Sequence, residues 1–331
     1  MSAENELPPD PAAKPGHDHD HPHDHDHHHH HHHGGHHHVL PKNMGKAFLI
    51  GIALNVALVI AEWIFGVAAH SLALLADATH NLGDVLGLVL AWGASVLAQR
   101  APSERFTYGL RGTSILSALA NAGILILVTG GLAWEAVQRL QDPQPVQGTT
   151  VIVVALVGVA VNGFSAWLFN AGEKGDINVR GAYLHMAADA ATSLGVAVSG
   201  VVVLFTGWLW LDPVVTLVLA AVILVGAWGL MRDAFKLALQ AVPRDIDIGK
   251  VRAFLEQLPG VTEVHDLHIW GMSTTENAMT AHLVVPGGHP GNAFLLHAAH
   301  EIEAKFSVHH VTLQVELANG QACELAPAHV V

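Results

Sequence analysis

The chain has 331 residues, 51% of them hydrophobic and only 13% charged, and its mean hydropathy is +0.39. Soluble globular chains carry about 25% charged residues, so this balance points to a membrane protein and excludes a basic nucleic-acid surface. The formal charge of −13 counts 27 histidines as neutral and says little about partners, while the single cysteine, Cys323, excludes a disulfide framework or a cysteine-rich zinc ribbon.

Residues 1–41 are low in complexity and hold 15 of the 27 histidines, in "PGHDHDHPHDHDHHHHHHHGGHHH". Such a segment buries no core and is expected to be disordered unless metal folds it. It is polar where a cleavable signal peptide would be apolar, so none is expected. His17, His19, His21, His23 and His25 alternate with acids or proline, a pattern that collects Zn²⁺, Cu²⁺ or Ni²⁺ weakly and in many arrangements. Three readings stay open: a metal reservoir, a purification tag (His27 to His33 is a run of seven) or inert low complexity.

Six apolar segments follow at the length that spans a bilayer, about 20 residues each. They are 47–69, 72–97, 113–136, 151–168, 182–205 and 209–230. Lys42 and Lys46, then Arg100, Arg105 and Arg111, then Lys174 and Arg180, then Arg232, Lys236, Arg244 and Lys250 fall in alternate connections. The positive-inside rule then places both termini in the cytoplasm of a multi-pass protein, expected in a bacterial inner membrane. From about Ile246 the pattern becomes soluble. A helix, two strands, an amphipathic helix and a further strand predict a small α+β domain, ferredoxin-like in order. The expected divisions are a tail (1–41), a six-helix transport domain (42–241), a cytoplasmic α+β domain (242–319) and a C-terminal tail (320–331).

The second apolar segment contains "ADATHNLGDVLG", in which Asp77, His80 and Asp84 share one helical face. The fifth contains "LHMAADAAT", with His185 and Asp189 four apart. A carboxylate near the bilayer centre costs about 3 kcal/mol on insertion scales, so such residues carry function by default. A lone intramembrane histidine can simply hydrogen-bond a neighbouring helix. Two His-x-x-x-Asp pairs in nearly charge-free spans instead suggest a closed four-ligand site. Two imidazole nitrogens and two carboxylate oxygens suit tetrahedral Zn²⁺, with Co²⁺ and Cd²⁺ as competitors. Asp77 is read as supporting the ligands. Because these ligands must be deprotonated to hold metal, a midplane site that faces each side in turn would exchange metal for protons. Asp212 reads as a helix-start residue, and Asn55, Glu62 and Asn162 as interhelical packing or cavity-lining groups.

These motifs, with "RFTYGLRGTSILSALANA", "INVRGAYLHMAADAATSLGV", "LDPVVTLVLAAVIL", "VHDLHIWGM", "AHLVV" and "HHVTLQVE", resemble the cation diffusion facilitator family, in particular its bacterial zinc efflux branch. The resemblance implies that His80, Asp84, His185 and Asp189 are the transport ligands. It also implies a homodimer with six helices per protomer that moves Zn²⁺ outward against inward protons. Members with Asp or Asn at one histidine position handle other metals more readily, so two histidines favour Zn²⁺. It places His265, His282, His309 and Glu316 near a regulatory zinc site at a dimer contact of the cytoplasmic domain. His268, His297, His300 and His310 read as surface histidines, and strand alternation predicts His265 and His268 on opposite faces. Relatives carry a histidine at Arg111 and a glutamate at Ser114; arginine cannot ligate a cation, so no loop metal site is expected. Cys323 reads as a tail residue.

The expected function is therefore Zn²⁺/H⁺ antiport with no organic cofactor and no enzymatic activity. Two alternatives are a membrane metal sensor without transport and an intramembrane zinc enzyme. The enzyme is disfavoured because no His-Glu-x-x-His motif is present and four protein ligands leave no open position.

Overall fold

In the computed structural model the described residues are 42–170, 177–318 and 323–326. The histidine tail, including His17, His19, His21, His23 and His25, lies outside them.

Six helices come first: α1 (Lys42–Ala68), α2 (Leu72–Ala98), α3 (Thr113–Gln141), α4 (Gly148–Asn170), α5 (Ile177–Thr206) and α6 (Leu211–Ala238). Five of them, α2 to α6, contain stretches long and apolar enough to cross a membrane; α1 contributes a shorter apolar stretch, Ile52–Ala68. Their outward faces are studded with exposed Leu, Val, Phe and Trp, which lipid would cover. Helices α1, α2, α5 and α4 close a ring in which each packs on the next, and α3 pairs with α6 beside it. The core at one end of the ring is built from small and β-branched residues, Ala69, Ala73, Val151, Ala155, Val196 and Ala197, which let helix backbones approach closely. The α5–α6 link turns at Gly207, whose φ of +68° lies in the left-handed region that glycine enters without steric cost.

The remaining unit runs α7 (Ile248–Glu256), β1 (Glu263–Gly271), β2 (Asn277–Val284), α8 (Asn292–Phe306) and β3 (His310–Glu316). This is the expected order, a ferredoxin-like βαββαβ pattern without its first strand. Strand β1 pairs with β2 antiparallel and β2 with β3 parallel, with α8 as the crossover that a parallel pair requires. Asp247 starts α7 by accepting hydrogen bonds from the amides of Gly249 and Lys250, at 2.9 and 3.2 Å. Val251, Leu255, Leu267, Ile269, Met279, Leu283 and Ile302 fill the core between the helices and one face of the sheet.

The opposite face of the sheet corrects one expectation. A β-bulge interrupts β1 between His265 and His268, and Asp266 takes a φ of +48° there. The extra residue resets the alternation. His265 pairs with His282 and His268 with Thr280, two positions apart on β2, so His265 and His268 share a face rather than opposing one another.

Candidate metal centres

Helices α2 and α5 meet in antiparallel register, so the His-x-x-x-Asp of one lies head to tail against that of the other. His80 Nε2 lies 3.1 Å from Asp189 Oδ1, and His185 Nε2 lies 3.2 Å from Asp84 Oδ2 and 3.7 Å from Asp189 Oδ2. The two imidazole rings stand edge to face, 6.1 Å between centroids. His80, Asp84 and Asp189 each offer a donor atom within 4.8 Å of the others. The structure thus brings the four side chains expected from the sequence into one cluster. Their exposure is graded along the helices: side-chain accessibility is 43% for His185 and 34% for Asp84, but 29% for His80 and 2% for Asp189. Asp189 Oδ2 accepts no hydrogen bond among the described residues. A buried carboxylate oxygen left in that condition is costly unless a cation completes it.

Asp77 sits one turn before His80 and touches none of the four side chains directly. Its carboxylate accepts from Ser193 Oγ at 2.7 Å and lies 3.2 Å from Thr192 Oγ1, which donates to the Asp189 carbonyl at 2.8 Å. Its link to the cluster therefore runs through the backbone of α5. Glu62 on α1 is fully buried beside it, and its Oε2 accepts from Asn81 Nδ2 at 3.1 Å. Asn162 is fully buried on α4 with neither amide atom hydrogen-bonded among the described residues. Asn55 Nδ2 reaches the Met186 sulfur at 3.9 Å.

At the far end of α2, Asp212 does more than begin its own helix. Its carboxylate accepts from Ser71 Oγ at 2.5 Å and from the amides of Leu72 and Ala73 at 2.8 and 3.3 Å. Ser71 in turn accepts from the Leu74 amide at 3.2 Å. The first turn of α6 thus caps the N-terminus of α2, placing a negative charge where the helix presents unpaired amides. Arg139 donates to the His70 carbonyl at 2.6 Å, and the Gln147 amide donates to the Ala69 carbonyl at 3.1 Å, tying down the same turn.

A second cluster lies on the uncovered face of the sheet. His282 Nδ1 is 3.0 Å from Glu316 Oε1, His265 Nε2 is 3.3 Å from Glu316 Oε2, and Cys323 Sγ is 3.6 Å from His282 Nδ1. Donor atoms of these four residues lie within 4.8 Å of one another. Of the residues expected here, His265, His282 and Glu316 converge, but His309 does not. It is exposed ahead of β3, and its Nδ1 accepts from the Asn277 amide at 3.4 Å. Cys323, read from the sequence as a tail residue, takes the remaining place. Its one legible signal is that it follows Glu316 by seven residues, a distance short enough for the chain to return over the strand. Asp266, turned by the bulge, lies 2.7 Å from His268 Nε2 and 3.4 Å from His282 Nε2. His297 and His300 are exposed on α8, as expected.

The donors of this cluster fit zinc: imidazole, carboxylate and thiolate are its usual ligands. Neither ring nitrogen of buried His265 makes a hydrogen bond among the described residues, although carboxylate oxygens of Glu316 and Glu263 lie 3.3 and 3.7 Å away. Burial works to raise the Glu316 carboxyl, but hydrogen bonds with Cys323 and Gln314 and the nearby imidazoles outweigh it and hold the group below the usual carboxylate range. The Leu325 amide favours the Cys323 thiolate. Burial and the carboxylates of Glu316 and Asp266 overcome that help and push the thiol up.

The two units also touch. Arg111, in the α2–α3 connection, donates to Glu276 Oε2 at 2.5 Å, and the Thr274 amide donates to Ser114 Oγ at 3.1 Å. Arg111 and Ser114 thus both serve the β1–β2 turn. A cavity of about 950 Å³ runs from this contact along α2 and α3 as far as Gly87, one turn from Asp84. Tyr108 stacks edge to face on His310, 5.4 Å between centroids.

Residues 48–237 match the family model described as cation efflux transmembrane domain, and residues 243–318 match that of the cation efflux protein, cytoplasmic domain. The chain belongs to the cation efflux family, the cation diffusion facilitators, and is an integral multi-pass membrane protein of metal cation efflux. It is 34% identical to the metal cation efflux system protein CzcD of Cupriavidus metallidurans, over 89% of this chain and 92% of that one. It is 32% identical to the cadmium, cobalt and zinc/H(+)-K(+) antiporter of Bacillus subtilis, over 85% of this chain and 92% of that one. The zinc transporter ZitB of Escherichia coli is 32% identical, over 87% of this chain and 93% of its own length.

Proposed function

We propose that this chain exports Zn²⁺, with Cd²⁺ and Co²⁺ as competing substrates, from the cytoplasm in exchange for protons through His80, Asp84, His185 and Asp189. The observation that carries the reading is the antiparallel pairing of two His-x-x-x-Asp helices inside an apolar ring. The CzcD, ZitB and Bacillus relatives, by their names, support the metals, and the Bacillus antiporter supports the exchange for protons.

In this reading α1 also spans, giving six crossings and both termini in the cytoplasm of a bacterial inner membrane. Residues 42–241 then carry transport and 242–319 form the cytoplasmic domain, through which two copies associate. Asp84 and His185 form the more exposed, cytoplasmic end of the cluster and meet an incoming cation first. His80 and buried Asp189 complete the tetrahedron and strip the remaining water. Protons arriving from the other side compete for the same four groups and release the cation, because each ligand holds either metal or proton. Zinc at His265, His282, Glu316 and Cys323 acts as a regulatory ligand rather than as cargo.

The test is flux. Proteoliposomes with an imposed proton gradient should accumulate Zn²⁺, and Asp189→Ala should lower that flux by more than about a hundredfold, since even residues that merely orient ligands cost ten- to a hundredfold. Undiminished flux in a folded Asp189→Ala protein overturns the site. Zinc binding without flux in the wild type would favour a sensor.

A further inference from the structure

We propose that Glu62 carries one of the protons exchanged for each cation, as a titrating carboxyl separate from the four ligands; the proposal rests on the antiport reading. Glu62 is the only ionisable side chain among the described side chains of α1, and it is fully buried inside the helix ring. Its two oxygens are treated differently. Oε2 accepts one hydrogen bond, from Asn81, whereas Oε1 accepts none among the described residues. A Cβ on Gly158 of α4 would lie 3.1 Å from Oε1 and 2.9 Å from Ser193 Oγ, so these two oxygens converge on the α4 backbone at a point they can approach only because residue 158 has no side chain.

The ionisable groups that face Glu62 from the neighbouring helices are few. Asp77, with His80 beyond it, comes from α2 and Asp189 from α5; α4 offers none among its described residues. Asp77 accepts the Ser193 hydroxyl hydrogen at 2.7 Å, as an anion does. Glu62 is dressed as an acid: one oxygen accepts, and the other faces a hydroxyl whose own hydrogen is committed to Asp77. Two carboxyls within one apolar enclosure cannot both hold charge unless a cation is close. Asn81 follows His80 directly and Ser193 lies one turn, about 5.4 Å, beyond Asp189. A divalent cation arriving among the ligands therefore favours ionised Glu62, whose O–H bond breaks and whose proton leaves to the cytoplasm. When the cation departs outward, a proton from that side re-forms the O–H bond. One proton moves inward for each cation moved out, and charge is conserved at Glu62.

The experiment follows Zn²⁺ and H⁺ together, with a zinc indicator and a pH dye, in proteoliposomes of the full-length chain. Glu62→Gln should transport Zn²⁺ with about one fewer proton exchanged per cation than the wild type, and with a flattened dependence on outer pH. Glu62→Asp should restore the wild-type ratio. An unchanged ratio in Glu62→Gln overturns the proposal. If Glu62→Gln carries no zinc, Glu62→Asp decides: recovery of coupled flux supports the need for an acid, and continued inactivity assigns Glu62 to structure alone. Failure of the antiport reading looks different, because the wild type itself would then show no proton movement with zinc.

Discussion

The cluster on the sheet has one residue that reports on itself. Cys323 is the only cysteine in the chain, so any thiolate-to-metal signal comes from that position. Co²⁺ substituted into the full-length protein should show a thiolate charge-transfer band that Cys323→Ser abolishes. The band should strengthen as pH rises, because the thiol proton competes with the metal for the sulfur. Glu316 works in the other direction. Its depressed carboxyl gives a contribution to folding that is fully present above its ordinary value of 4.5 and is lost as pH falls through the lower folded value. Acid titration of Glu316→Gln should therefore flatten the loss of stability in that window, read by circular dichroism. The intramembrane cluster was legible in the sequence because its charge stands alone against an apolar background. Cys323 and Asp266 were not, since one depends on the path of a returning chain and the other on a bulge that adds a single residue to a strand.

Among the elements, α2 carries the heaviest duties, with half of the His–Asp cluster at its middle and a borrowed cap at its start. Helix lengths and the antiparallel order of α2 and α5 follow from apolar runs and short connections, and both could be read in advance. The borrowed cap could not, because Ser71 and Asp212 lie 141 positions apart and only packing brings them together. Removing the Asp212 carboxylate strands the Ser71 hydroxyl and two α2 amides. Asp212→Ala should cost roughly 2–4 kcal/mol, as a lost cap with buried donors left unpaired. Asp212→Asn, which keeps an acceptor oxygen, should cost less than about half of that. Thermal unfolding in detergent would show the order wild type, Asn, Ala.

For the whole molecule, the contact between the transport helices and the sheet is small and polar. The Arg111–Glu276 pair is 40% and 35% exposed, so it contributes at most about 1 kcal/mol to stability. Its expected effect is on communication. Arg111→Glu should leave the melting temperature nearly unchanged while uncoupling flux from zinc at the sheet cluster, and the reversed pair with Glu276→Arg should restore it. Flux measured against cytoplasmic zinc in the two variants provides the comparison. This contact was hidden because Arg111 and Glu276 lie 165 positions apart, in two separate units that only packing brings together.

The borrowed cap also limits how the molecule can open. With α6 fastened to the head of α2 through Asp212, those two helices travel together there as a single lever. Helix α5 does not share that cap; it meets α2 over a shorter stretch, through the Ser193 and Thr192 hydroxyls on Asp77 and the two His–Asp pairs. In the antiport reading, the seam that parts toward the outside is then the one between α2 and α5, which runs through the His–Asp cluster. A covalent cross-link between the heads of α2 and α6 should leave transport intact, whereas one between α2 and α5 beside Asp77 and Thr192 should lock the cation in place.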